Sequence, residues 1–140
     1  MSSTSINLNE SLIDYMQKFG THENSFQSQL REETESGKFA QMQISPEQGQ
    51  FMGVLAKIMN AKNYLEIGTF KGYSAMCMAF AMGDESEIVA LDSSKDYTDI
   101  ALRHWKAANI SNRINLRLGL ALDTLIDMSK DDNNLNHFDI

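Results

Sequence analysis

The sequence has few of the residues that build several common kinds of functional site. Its 140 residues include one cysteine, and 12 basic residues are outnumbered by 19 acidic ones, which gives a net charge of −7. Without a cysteine pair or a His-x-x-x-His spacing, nothing supports a zinc site. The acidic balance and the absence of a Lys/Arg cluster argue against a nucleic-acid partner.

Long apolar segments are also missing. No apolar run approaches the roughly 20 residues that cross a bilayer, and residues 1–5 are polar, unlike a signal peptide. We therefore predict a cytoplasmic protein without a membrane partner. The single Cys77 lies between Met76 and Met78 on a predicted helix, so we interpret it as a small buried apolar residue.

The most informative segment is a glycine-containing turn between an apolar run and a predicted helix. Residues Tyr64–Ile67 form the run and include Glu66, and Gly68–Gly72 form the turn. A second apolar run, Ile88–Leu91, ends in Asp92. Two strands that each end in an acid, with a helix between them, are typical of a nucleoside-binding α/β unit.

The residues at this turn indicate which nucleoside cofactor fits. In the dinucleotide pattern G-x-G-x-x-G, the second glycine lets the backbone approach a pyrophosphate. Counted from Gly68 that position is Phe70, and Glu66 would repel a diphosphate. S-adenosylmethionine has no phosphate, so Glu66 could attract its ammonium group and Asp92 could accept hydrogen bonds from its ribose. An NAD-dependent oxidoreductase and a non-catalytic nucleoside-binding module are the alternatives.

Two helices are predicted ahead of this unit, at residues 8–19 and about 22–34. Residues 1–40 have too few apolar side chains to fold alone, so we expect them to pack on the main domain or on a dimer partner. Residues 41–140 are then the N-terminal part of an S-adenosylmethionine-binding domain. Ser45 caps a third helix, with a predicted buried face of Phe51, Val54, Leu55, Ile58 and Met59.

Alternating strands and helices predict a Rossmann-like α/β fold, a parallel sheet flanked by helices. The strands are expected at 63–67, 87–91 and 114–118, and the helices at 74–82, 95–108 and 121–128. A solvated loop is predicted at Lys130–Asn136. His137–Ile140 is interpreted as the start of a fourth strand beside the first. We expect the chain to be an N-terminal fragment, truncated after the start of that strand.

The chain resembles the cation-dependent O-methyltransferases of the caffeoyl-CoA and catechol type, within the Rossmann-like class of S-adenosylmethionine enzymes. The resemblance runs from about Phe26 to Ile140. It is carried by four separate segments: Gln43–Phe51, Leu65–Ser74, Tyr97–Ala101 and Arg113–Ala121.

The resemblance implies a set of cofactor contacts: Ile44, Glu66, Gly68, Thr69, Ser74, Asp92 and Ala121. Glu66, Gly68 and Thr69 would line the methionine end, and Ser74 would bind its carboxylate. Asp92 would hold the ribose. The backbone of Ala121 would face the adenine, and Ile44 would touch the cofactor through its backbone. Lys71, often threonine in this family, is expected to face solvent.

The resemblance also implies a divalent cation, usually Mg²⁺, that binds the acceptor and lowers the pKa of its attacking hydroxyl. Its ligands and the catalytic residues are expected beyond Ile140, so the 140-residue chain alone is expected to be inactive. The full-length protein is expected to methylate a hydroxyl of a phenolic small molecule, catechol-like or caffeoyl-type. Members of the family are commonly homodimers, and we expect the same here.

Overall fold

The computed structural model describes residues 7–131 and 137–140. Most of the predicted loop at Lys130–Asn136 therefore lies outside the described residues. The elements follow the predicted order: α1 Glu10–Gly20, α2 Ser25–Glu35, α3 Pro46–Met59, β1 Asn63–Ile67, α4 Tyr73–Met82, β2 Glu87–Asp92, α5 Lys95–Ala107, β3 Ile114–Leu118 and α6 Ala121–Met128. Short 3₁₀ turns lie at Ala40–Met42 and Ser111–Arg113. In the described part of the chain, no helix is long and apolar enough to cross a membrane.

The three strands form a parallel sheet in the order β1-β2-β3, which confirms the predicted α/β class. His137–Ile140 is not a strand in the structure, but this segment lies beside β1, where the fourth strand is predicted. The Leu65 N–H donates to the Ile140 carbonyl (2.9 Å), and the Asp139 N–H donates to the Asn63 carbonyl (2.9 Å). β1 thus lies between this segment and β2, and the acids of β1 and β2 share one edge of the sheet.

Helices cover both faces of the sheet. On one face, β-strand residues pack with α4, which buries most of its side chains, and with Trp105 of α5. On the other face, Val89 and Leu91 pack against Met128 of α6. Because successive strand side chains point to opposite faces, both faces of β2 are apolar, as expected of a central parallel strand.

The predicted buried face of α3 is wrong. Five side chains on that face are 40% exposed or more: Phe51, Val54, Leu55, Ile58 and Met59. The opposite face is buried instead, through Gly49, Gly53 and Ala56. Small residues let α3 approach α4 so closely that a Cβ added at Gly49 would lie 2.7 Å from Cys77 Sγ. Close approach of the two backbones thus decides which face is buried.

The two leading helices differ in how they attach. α1 buries none of its residues, and its apolar side chains, such as Tyr15 and Phe19, are exposed. α2 buries Leu30 and Thr34. It also carries Glu33, which accepts hydrogen bonds from Arg103 (2.5 Å) and His104 (2.8 Å) of α5. α2 is therefore tied to the α/β unit by both packing and charge.

The ion pair between Glu33 and Arg103, with His104 beside it, makes a contribution to stability that depends on pH. The Arg103 guanidinium, and then His104, hold the pKa of Glu33 at about 2, below its usual 4.5. A lowered folded-state pKa stabilises the protein above pH 4.5, and this stabilisation is lost as the pH falls towards 2. Since Glu33 is 39% exposed, Glu33→Gln should lower the free energy of unfolding at pH 7 by about 1 kcal/mol or less.

Urea unfolding at a series of pH values measures this effect, with exposed Glu32→Gln as the control. The difference between Glu33→Gln and the wild type should shrink as the pH falls below 4.5. A difference that stays constant between pH 7 and pH 3 would contradict the role of the charge pair.

Candidate functional site

The turn after β1 is fixed to the end of β2. The backbone N–H groups of Gly68 and Thr69 both donate to the Leu91 carbonyl, at 2.8 and 3.1 Å. Three residues of the turn have positive φ: Gly68 (+84°), Phe70 (+52°) and Gly72 (+86°). The chain therefore reverses within five residues and starts α4 directly above the strand ends.

Glu66 lies buried beneath this turn, with only 6% of its surface exposed. Its carboxylate accepts hydrogen bonds from the hydroxyls of Thr69 (2.5 Å), Tyr64 (3.4 Å) and Ser74. Burial raises the pKa of Glu66, and the bonds from Ser74, Thr69 and Tyr64 oppose that rise. A carboxylate held in this way offers a buried acceptor to a cationic ligand.

Asp92 lies at the end of β2 and is half-buried. Its Oδ2 accepts from the Phe70 N–H (2.7 Å), and its Oδ1 accepts from the Ser94 N–H (2.8 Å). Each carboxylate oxygen has two acceptor positions, so one position on each oxygen is left. Asp92 can therefore hold the turn in place and still accept two further hydrogen bonds, the number that the two hydroxyls of a ribose would donate.

The structure brings most of the predicted site residues together. Four of them line a pocket of about 50 Å³ between the chain before α3 and the turn after β1: Ile44, Gly68, Thr69 and Ser74. Glu66 lies behind this pocket, where it is bonded to Thr69 and Ser74. Asp92 is connected to the pocket through Phe70, a lining residue whose backbone N–H donates to the Asp92 carboxylate.

Ala121 does not line this pocket. It is the first residue of α6 and packs beside Val89 and Leu91. The loop before it is tied to the same sheet edge, because the Gly119 N–H donates to the Asp92 carbonyl (2.8 Å). Ala121 therefore lies near the third strand end, on the other side of Asp92 from the pocket.

The expectation that Lys71 faces solvent is wrong, since its residue is only 5% exposed. Its Nζ lies 5.2 Å from the centre of the Phe70 ring. It also approaches the turn after α2, where a Cβ added at Gly37 would be 2.8 Å from Nζ. Because Gly37 has no side chain, it leaves room for the Lys71 ammonium. Gly37 is far from Lys71 in the sequence, so the residues around Lys71 do not predict this contact.

Several polar residues at the site were not among those predicted: Lys71 and Tyr73 in the lining of the pocket, and also Tyr64 and Gln43. Tyr64 donates to Glu66 from two residues earlier on β1. The period of two in a strand places these side chains on one face, so that contact could have been predicted. Gln43 lines the small pocket, and its Oε1 is buried without a hydrogen-bond partner. Nothing in the local sequence distinguishes it from the other glutamines of this segment.

A larger pocket of about 280 Å³ lies elsewhere, between the α1–α2 connection, α3 and α4. No predicted site residue lines it. Cys77 does, and it is 5% exposed. Burial raises the pKa of its thiol to about 11, so the thiol is protonated at neutral pH. The prediction that Cys77 is buried is confirmed, and its Sγ accepts a hydrogen bond from Gln27 Nε2 (3.2 Å).

The chain is similar to known proteins in both sequence and fold. Residues 17–140 match the sequence profile described as O-methyltransferase. The chain belongs to the O-methyltransferase family. This confirms the resemblance that the sequence motifs indicated.

Its relatives include the caffeoyl-CoA O-methyltransferase of Medicago sativa, which is 36% identical over 117 residues, 84% of this chain and 47% of that protein. Tricin synthase 2 of Oryza sativa subsp. japonica is 33% identical over 132 residues, 93% of this chain and 45% of that protein. The chain spans about half the length of the curated relatives it matches.

Solved structures show the same fold. The chain is similar to the O-methyltransferase from Bacillus cereus in complex with SAH (S-adenosylhomocysteine), with a TM-score of 0.79 and 30% identity. The likeness covers 87% of this chain and 56% of that chain. The fold of this O-methyltransferase-family chain is therefore that of S-adenosylmethionine-dependent methyltransferases.

Proposed function

We propose that the protein binds S-adenosylmethionine at the ends of β1 and β2 and, as a whole protein, transfers its methyl group to a hydroxyl of a small molecule. The observation that carries this proposal is the pair of acids at neighbouring strand ends, Glu66 and Asp92, joined through one glycine turn. The bound SAH of the Bacillus cereus relative supports the choice of cofactor.

The described residues fit this cofactor. Glu66 is the acceptor for its ammonium, and Asp92 has acceptor positions left for the ribose hydroxyls. Space is open at the turn, because a Cβ added at Gly68 would have no atom within 4 Å. The backbone at Ala121, which follows the third strand, would face the adenine. Ile44, Thr69 and Ser74 would enclose the methionine end.

Ser74 would play a different part from the one implied by the resemblance. Its hydroxyl donates to Glu66, and a hydroxyl has one proton to donate. We propose that Ser74 orients Glu66, and that backbone N–H groups at the start of α4 face the carboxylate of the cofactor.

S-adenosylmethionine, when bound, supplies a methyl group on a positively charged sulfur. The part of this chain is to hold and orient it: Glu66 at the ammonium and Asp92 at the ribose fix both sides of the sulfur. Orientation of this kind lowers the barrier by making the reaction effectively unimolecular.

The acceptor we propose is a phenolic small molecule, supported by the caffeoyl-CoA O-methyltransferases among the relatives. The described residues do not supply a ligand set for the divalent cation that the resemblance implies. No group of three or more His, Cys, Asp or Glu in residues 7–131 and 137–140 could hold a metal ion. We also propose that the whole protein is a homodimer, which the exposed apolar faces of α1 and α3 support.

Isothermal titration calorimetry with SAH and with NAD tests the cofactor. We expect SAH to bind more tightly than NAD by roughly 100-fold, about 2.7 kcal/mol, because Glu66 repels a diphosphate and attracts an ammonium. NAD binding without a response to SAH would favour the oxidoreductase. SAH binding by a whole protein that methylates no phenolic acceptor would favour the non-catalytic module.

A further inference from the structure

Gln43 is a buried acceptor without a donor. Its side-chain Oε1 has no hydrogen-bond partner, and among the described residues it is the one buried side-chain nitrogen or oxygen in that condition. The Gln43 backbone is anchored, because its N–H donates to the Ala40 carbonyl (3.0 Å). Buried polar atoms in native proteins nearly always have a partner, so an unpaired one requires an explanation.

The surroundings of Gln43 explain why no protein group satisfies it. It lines the 50 Å³ pocket together with Thr69 and Ser74. Both of these hydroxyls already donate to Glu66, and each has a single proton. Lys71, a cation that lines the same pocket, lies over the Phe70 ring and makes no hydrogen bond to Gln43 Oε1. The Oε1 of Gln43 is therefore an acceptor at this pocket for which the described residues supply no donor.

Glu66 by itself cannot satisfy an ammonium group. A carboxylate has about four acceptor positions, and a primary ammonium has three N–H donors. Three hydroxyls already occupy positions on Glu66: those of Tyr64, Thr69 and Ser74. About one position is left, so the other N–H groups of the ammonium need acceptors from elsewhere in the pocket.

We infer that Gln43 is a positioning residue for the cofactor, and that its Oε1 accepts a hydrogen bond from the ammonium of the amino-acid end, opposite Glu66. This inference rests on the proposed function and extends it to a residue outside the predicted contacts. The pocket of about 50 Å³ that Gln43 lines is formed together with Thr69 and Ser74, where the proposed function puts the amino-acid end of the cofactor.

The test measures the affinity of two protein variants for two ligands, so that the protein and the ligand are each changed in turn. Gln43→Met keeps the length of the side chain and removes the acceptor. The ligands are SAH and its analogue without the amino group, 5′-S-(3-carboxypropyl)-5′-thioadenosine. We expect Gln43→Met to weaken SAH binding by roughly 10-fold and to leave the affinity for the analogue unchanged. Exposed Gln41→Met is the matched control and should alter neither affinity.

Stability should move in the opposite direction to binding. Gln43→Met removes an unpaired buried polar atom, so its midpoint of urea unfolding should equal or exceed that of the wild type. Gln43→Glu keeps an acceptor and should bind SAH more tightly than Gln43→Met. A residue that only shaped the pocket would lose stability and affinity for both ligands together.

Two results would overturn the role of Gln43 while leaving the proposed function in place. One is an unchanged SAH affinity in Gln43→Met. The other is an equal loss of affinity for SAH and for the analogue without the amino group. Absence of SAH binding by the wild-type protein is a different failure, because it would overturn the proposed function and the role of Gln43 with it.

Discussion

Asp92→Ala is expected to weaken SAH binding by about 1.5–3 kcal/mol, the contribution of hydrogen bonds to a charged group. Asp92 lies at the end of β2 with one acceptor position left on each oxygen, and we propose that the two ribose hydroxyls fill them. The loss should appear in the dissociation constant measured by isothermal titration calorimetry. An unchanged dissociation constant would remove Asp92 from the site.

The control must separate binding from folding, because Asp92 also accepts the N–H groups of Phe70 and Ser94. Thermal unfolding without ligand reports how much of the effect comes from loosening of the turn. Asp96→Ala removes an exposed acid from the first turn of α5 and should leave SAH binding unchanged. If both variants weakened binding equally, general electrostatics would be the cause.

Gly72→Ala is expected to lower the free energy of unfolding by about 2–5 kcal/mol. Gly72 has a φ of +86°, which costs other residues about 1–2 kcal/mol. A Cβ added here would also lie 2.6 Å from the Trp105 ring and 2.7 Å from Ala101, and overpacking costs about 1–3 kcal/mol. The Trp105 Nε1–H donates to the Gly72 carbonyl (2.9 Å), so the ring has little freedom to move away.

Gly68→Ala is the matched control for this prediction. Gly68 has almost the same φ, +84°, but an added Cβ would meet no atom within 4 Å. Gly68→Ala should therefore lower the free energy of unfolding only by the cost of the positive φ, about 1–2 kcal/mol. Guanidinium unfolding of both variants measures the difference. Equal losses would mean that the contact with Trp105 is relieved by movement of α5.

The order of the elements could be predicted because its signals are local. Ser45 and Ser94 cap the helices that follow them, because their hydroxyl oxygens accept hydrogen bonds from the backbone N–H groups of Gln48 and Tyr97. The two strand-end acids could also be placed together, since parallel strands present their carboxyl ends at one edge of the sheet. The family assignment depends on the same local motifs.

The errors concern contacts between segments that are distant in sequence. Periodicity predicts that the apolar face of α3 is buried, but the small residues of its other face allow the closer approach to α4. Lys71 is predicted to face solvent, but its ammonium lies against the turn at Gly37. In both cases a glycine on one segment sets the fit of another, and periodicity carries no information on such a fit.

The sequence by itself determined the alternation of strands and helices, the glycine turn and the positions of Glu66 and Asp92, because caps, turns and hydrophobic period act over a few neighbouring residues. Only the tertiary structure decided that the Ser74 hydroxyl of α4 also holds Glu66 and that the Oε1 acceptor of Gln43 is left unpaired. These depend on how β1, α4 and the chain before α3 meet in space. Hydrogen bonds between them form only after the backbones have packed, so no local pattern can specify them.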